Sequence, residues 1–161
     1  MVWKDRKGVS PVIGVILMVA ITVILAAVIA SFVFGMGSKV KSAPQMQFML
    51  QDDPQSINGA GPLFDAMATG SDVVQCGELR ITVKDLSNGN TWTLNWNGTG
   101  YYGVKNNVAI YTNNLGNVIK PGTTITFYQN TTGVNSGDAL EVIVLHIPTG
   151  TIIYDGRVVV Y

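Results

Sequence analysis

From Val9 to Phe34 the chain carries no charged residue, and the run closes at Gly35-Met36-Gly37. A helix over Val12 to Phe34 would rise about 34 Å, slightly more than the ~30 Å hydrocarbon layer of a bilayer. Ser10 is placed to cap its first turn, and Pro11 lacks the amide that the first helical position does not use. The run is apolar all round, so it suits lipid or a bundle of like helices. Gly35 and Gly37, followed by Ser38, predict a helix end or hinge, and Ser38 to Pro44 reads as a short linker.

After the linker the pattern changes period. Leu79, Ile81 and Val83 alternate with Glu78, Arg80, Thr82 and Lys84; Trp92, Leu94 and Trp96 alternate with Thr91, Thr93 and Asn95. Both are half-buried strands, and Asn88-Gly89 between them predicts an antiparallel hairpin. Further strands are expected at Met46–Leu50, Tyr101–Lys105, Val108–Tyr111, Thr123–Gln129, Leu140–Ile147, Thr151–Tyr154 and Arg157–Tyr161. Leu140–Ile147 is apolar on both faces and reads as a central strand. Asp155-Gly156 is expected to be a turn, and Asp52–Asp72 a surface loop with a short helix near Phe64–Met67. The expected fold is one long amino-terminal helix followed by an all-β domain, a β-sandwich (Ig-like) or small barrel, over residues 45–161.

The leader Met1 to Gly8 holds Lys4, Asp5, Arg6 and Lys7. Cations abutting an apolar run place the leader in the cytoplasm and the β-domain outside; Lys39 and Lys41 pull mildly the other way. Three export readings follow. A secretory signal would be cut after Val28-Ile29-Ala30, before Ser31, but the run is far longer than the ~7 to 15 residues of an ordinary signal core. The second reading is an uncleaved anchor. In the third, cleavage falls between Gly8 and Val9, and the helix stays on the mature protein.

The segment Lys7-Gly8-Val9-Ser10-Pro11-Val12-Ile13-Gly14-Val15-Ile16-Leu17-Met18-Val19-Ala20, continuing to Ala30, closely resembles the amino terminus of archaeal type IV pilins. The likeness covers roughly residues 4 to 37. It implies removal of residues 1–8 by a prepilin peptidase of the membrane aspartyl type, at Gly8 and Val9. It further implies assembly of the retained helix, held in the membrane beforehand and with a pilus assembly platform as partner, into the core of a homo-oligomeric helical filament serving adhesion or cell-cell contact. Bacterial type IV pilins usually have Glu at the fifth mature position, where this chain has Ile13. Archaellins usually begin with a Gly-rich stretch in place of Ser-Pro-Val-Ile-Gly, so the likeness favours a pilus over an archaellum.

Packing of the helix against copies of itself is also supported by its small residues, Gly14, Ala20, Ala26, Ala27, Ala30 and Ser31. Ala26 with Ala30, and Ala27 with Ser31, have the four-residue spacing that lets helix backbones approach. Small residues are common in any spanning helix, so the spacing alone does not decide the matter.

Charge narrows the partners. Lys and Arg number 10 and Asp and Glu 10; without residues 1–8 the balance is 7 basic to 9 acidic, a formal −2. Such a chain offers no basic patch for nucleic acid. The lone Cys76 excludes an internal disulfide and reads as a buried thiol, with a bridge between subunits as the alternative. Asn97-Gly98-Thr99 and Asn130-Thr131-Thr132 match the N-glycosylation pattern and follow predicted strands.

An enzyme is not expected. Catalytic groups must converge, and His146, the single histidine, alternates with Leu140, Val142 and Val144 as a core position would. Asp85, Asn88 and Asn90 lack calcium-loop spacing and read as turn residues, as does Asp52-Asp53. No metal or cofactor is expected. The alternative function is a membrane-tethered binding module for a sugar or small solute, with Trp92, Trp96, Tyr101 and Tyr102 lining its site. Core packing is the plainer account of the tryptophans.

Overall fold

The structure, a computed structural model, describes residues 11–37, 42–53 and 59–161. The chain divides into two units, Met1–Lys41 and Ser42–Tyr161.

In the first unit, α1 (Pro11–Gly37) is a single helix that opens on Pro11, as its missing amide predicts. It runs through Gly35 and has Gly37 as its last residue. Thr22 Oγ1 donates to Val19 O and Ser31 Oγ to Ala27 O, each at 2.9 Å. The only described hydroxyls of the helix are thus satisfied inside it, as an apolar environment requires.

The second unit is antiparallel throughout. Its strands are β1 (Phe48–Asp52), β2 (Gly61–Ala68), β3 (Val74–Gln75), β4 (Leu79–Asp85), β5 (Thr91–Trp96), β6 (Tyr101–Lys105), β7 (Val108–Thr112), β8 (Val118–Ile119), β9 (Thr124–Gln129), β10 (Ala139–His146) and β11 (Thr151–Val159). Nine of them form one sheet in the order β1-β2-β9-β7-β6-β5-β4-β10-β11, and β3 pairs with β8. The sheet nearly closes on itself. At its two edges Tyr161 N donates to Asp52 Oδ1 at 3.2 Å, and the Phe48 and Tyr154 rings meet edge-on at 5.5 Å. On the other side β5 turns the corner, pairing with β4 through Thr91–Leu94 and with β6 through Asn95 and Trp96.

The core lies between the two halves of this folded sheet. Phe64 stacks on Phe127 at 4.5 Å, and Trp92, Leu94, Ile81, Ile110 and Val142 are buried around them. Two polar groups of the core aromatics find partners: Trp92 Nε1 donates to Val108 O at 3.1 Å and the Tyr101 hydroxyl to Cys76 O at 2.8 Å. Burial raises the pKa of the Tyr101 hydroxyl well above its ordinary value, with a further contribution from neighbouring Cys76.

The predicted hairpin forms. Asp85 Oδ1 accepts from Ser87 N at 2.8 Å and Asn88 N at 3.4 Å, Asn88 Oδ1 accepts from Asn90 N at 2.8 Å, and Gly89 takes φ 75°. These oxygens hold the turn together. His146 is buried, with Nδ1 2.8 Å from Thr149 Oγ1. β10 is flanked by β4 and β11, fully buried on its inner face and half-buried on its outer one.

Two expectations are overturned. Residues 61–68 are not loop and helix but β2, a strand between β1 and β9. Phe64, Ala66 and Ala68 face the core while Asp65 and Met67 alternate with them. Alanine and aspartate are poor strand formers, and Pro62 argued against a strand; the register shift between Pro62 and Phe64 is where the proline is tolerated. Asp155-Gly156 is not a turn either, since β11 runs unbroken through both. Tyr154 fills the space a side chain at Gly156 would take, so this glycine makes room for an aromatic ring on the same face of the strand.

Candidate functional site

Two surfaces stand out as having no use within the chain: the flank of α1 and the outer face of the β6-β7-β9 side of the head.

Pro11–Gly35 is long and apolar enough to cross a membrane, with mean hydropathy 3.2 over its best window. Its large side chains are exposed on every side, from Val12 at 65% to Phe34 at 80%. Of the small residues, Gly14, Ala20, Ala26, Ala27 and Ser31 are exposed and Ala30 is half-buried. Among the described residues, nothing beyond the helix's own neighbouring backbone lies within 4 Å of where a Cβ at Gly14 would sit. A glycine inside a helix costs about 0.5–1 kcal/mol relative to alanine, and no contact among the described residues explains it. The Ser31 hydroxyl is turned back onto Ala27, so this pair presents little but its shape to a neighbour. Gly8 and Val9 lie outside the described residues, as does Ser38–Lys41 just beyond the expected hinge at Gly35 and Gly37.

On the head, the four aromatics considered for a binding site do not converge. Trp92 and Tyr101 are core residues, Trp96 is half-buried with its ring edge-on to Tyr101 at 5.4 Å, and only Tyr102 is exposed, at 48%. The structure instead places Tyr102 opposite Tyr111, and Tyr111 opposite Tyr128, on three adjacent strands. The Tyr111 and Tyr128 rings stack at 5.5 Å and 16°. This row was missed because it is built from residues far apart in sequence, one per strand, and strand order is not encoded locally.

Beside the row an open groove of about 510 Å³ is bounded by Asn97, Thr99, Tyr102, Tyr111, Asn113 and Asn114. Asn97 is exposed in the β5–β6 loop, and its Oδ1 accepts from Thr99 N, Thr99 Oγ1 and Gly100 N, each at 3.0 Å. Asn130 is exposed just after β9, and its Oδ1 accepts from Ala109 N at 2.7 Å, extending the ladder between β7 and β9. Buried Gln129 fixes the following loop, accepting from Val134 N at 2.9 Å and donating to Val134 O at 3.1 Å.

Cys76 is a free, buried thiol whose Sγ donates to Gly116 O at 3.1 Å. Burial raises its pKa, which makes it a poor nucleophile and a poor partner for an intersubunit bridge.

Residues 7–48 match the family model described as archaeal type IV pilin, N-terminal. A protein of Archaeoglobus fulgidus, named only as uncharacterized, is 45% identical to this chain over 89 residues. That match covers 53% of this chain and 58% of the relative's own length, so the chain spans less than two thirds of it. The pilin family is one of structural proteins that assemble into filaments, and the match falls on the segment whose flank the chain leaves bare.

Proposed function

We propose that this chain, with its pilin-type amino-terminal segment, is a structural subunit of an archaeal type IV pilus-like filament on the cell surface. A prepilin peptidase removes residues 1–8 between Gly8 and Val9. Residues 9–37 then hold the mature protein in the membrane with the head outside, until an assembly platform moves it into the filament. There α1 packs against copies of itself, residues 38–44 link it to the head, and residues 45–161 form the outer surface, which serves adhesion to surfaces or to other cells. Sugars on Asn97 or Asn130 would lie on that outer surface.

The observation that carries this reading is a 25-residue helical span, Pro11–Gly35 of α1, apolar on every side and lying within the pilin-matched segment. Lipid and a helical bundle are both good solvents for such a surface, so transfer between them has a small net cost. The exposed small residues, Gly14 above all, fit close helix packing. A head with its own buried core needs no help from the helix to stay folded.

The test is substitution at the processing site. Gly8→Leu should leave the chain at its full precursor mass, still in the membrane, with no filament in the sheared surface fraction. Filaments built from the unprocessed Gly8→Leu chain would overturn the proposal.

A further inference from the structure

We propose that Asn97 is the glycosylated asparagine and that the first sugar rings attached to it lie in the groove that Tyr102 and Tyr111 help to line. This deepens the surface-glycan part of the function proposed above, and does not depend on filament assembly.

The choice between the two acceptor sites follows from their hydrogen bonds. At Asn97 the Oδ1 is held by the Thr99 hydroxyl and by two backbone amides, while Nδ2 has no partner among the described residues. The amide is therefore fixed in orientation, with its nitrogen free and the hydroxyl of the acceptor pattern bound to its oxygen. At Asn130 the Oδ1 is part of the β7–β9 ladder through Ala109 N, and no bond joins it to Thr132. Sugar transfer to Asn130 must work on an amide pinned against a strand edge. Transfer to Asn97 works on one held out in a loop.

The reaction needs an oligosaccharide carried on a lipid phosphate. The bond from its anomeric carbon to the phosphate oxygen breaks and a bond to Asn97 Nδ2 forms. Nδ2 gives up one proton, and the lipid phosphate leaves.

The groove fits what is then attached. Asn97 is part of its wall, so a sugar on Nδ2 starts at the groove and needs no spacer. Its volume, about 510 Å³, is in the range of sites that hold small ligands. No charged side chain bounds it; it offers aromatic rings, amides and hydroxyls, which match the apolar ring faces and hydroxyl edges of neutral hexose or N-acetylhexosamine units. Asn113 Oδ1 is bound to Thr126 N at 3.2 Å, which leaves its Nδ2 to donate to a sugar hydroxyl. Tyr111 is backed by Tyr128, so the groove wall is already ordered before a sugar arrives. Gly100 lets the acceptor loop lie close to β7, because a Cβ there would come within 3.0 Å of Asn113 O and Thr112 Oγ1.

The test compares the full chain made in a host with archaeal N-glycosylation and in one with none, each as wild type and as Tyr111→Ala. Proteins are held in a detergent without a sugar headgroup, which would itself compete for the groove. Peptide mass mapping should find the glycan on Asn97. The glycosylated wild type should melt about 4 °C above its unglycosylated form, and this gain should vanish in Tyr111→Ala. Because each variant is compared with itself, any loss of stability from Tyr111→Ala cancels. Tyr102→Phe, which keeps the ring, should retain the gain. A glycan on Asn130 with Asn97 bare, or an unmodified chain, would overturn the proposal. An equal gain with and without the Tyr111 ring would also overturn it, showing a glycan that does not enter the groove. None of these results bears on filament formation, which is judged by the processed amino terminus.

Discussion

Gly103 shows how a single missing atom shapes the head. A Cβ there would sit 2.5 Å from Thr93 O and 2.9 Å from Thr93 C, so β5 crosses β6 closely where the sheet turns its corner. Gly103→Ala must push backbone aside, and we expect it to destabilise the head by about 2 kcal/mol or more, read from denaturant unfolding of the full chain in detergent micelles. The Tyr101 hydroxyl supports the Cys76 carbonyl from inside the core. Tyr101→Phe should cost about 1 kcal/mol, since the Cys76 carbonyl loses the hydroxyl and keeps only the Leu79 N–H as donor. Cys76 and Tyr101 both hold their protons more tightly folded than unfolded, chiefly through burial. Above pH 9.0, the ordinary thiol value, the unfolded chain loses protons that the folded chain keeps, so stability is complete below that pH and falls as pH rises. The melting temperature should therefore drop between pH 8 and 11, and less so in Cys76→Ala; equal melting across that range would contradict the account. The burial of His146, Trp92 and Cys76 was legible from their own alternation or chemistry. The tyrosine row was not, because its members meet only through strand pairing.

Among the elements, the helix was the easiest to read, since 26 uncharged residues leave no other structure open to them in lipid. The β4–β5 hairpin was equally clear from its period and its turn residues. β2 was hidden because its inward positions Ala66 and Ala68 are small and its outward ones are Asp65 and Met67. It owes its place to packing between β1 and β9 rather than to strand propensity. β11 was cut in two on paper because Asp-Gly usually turns, whereas Tyr154 covers Gly156 and keeps the strand extended. The small residues of α1 make a prediction of their own. Gly14→Leu should leave membrane insertion unchanged, because lipid accepts leucine readily, but should cut the filament yield several-fold by holding neighbouring helices apart. Equal filament yield from Gly14→Leu would remove Gly14 from the packing surface.

For the whole molecule, the sequence divides its two physical tasks cleanly. Residues up to 41 belong to the unit with the bare helix, and residues from 42 to the unit with the closed core. Among the described residues, one unit exposes nearly all its apolar side chains; the other hides Phe64, Phe127, Trp92 and their neighbours and presents amides, hydroxyls and a row of tyrosines. Under the proposed function, lipid covers that helix before assembly and neighbouring helices cover it afterwards. Of the head's outer surface, the sequence made legible only its polarity and two matches to the N-glycosylation pattern.

The most direct test of that account is the mass of the amino-terminal peptide of the protein recovered from sheared cell-surface filaments. The account predicts a chain that begins at Val9, with the whole of α1 retained. A chain beginning at Met1, or one beginning at Ser31 and so lacking most of the helix, would contradict it.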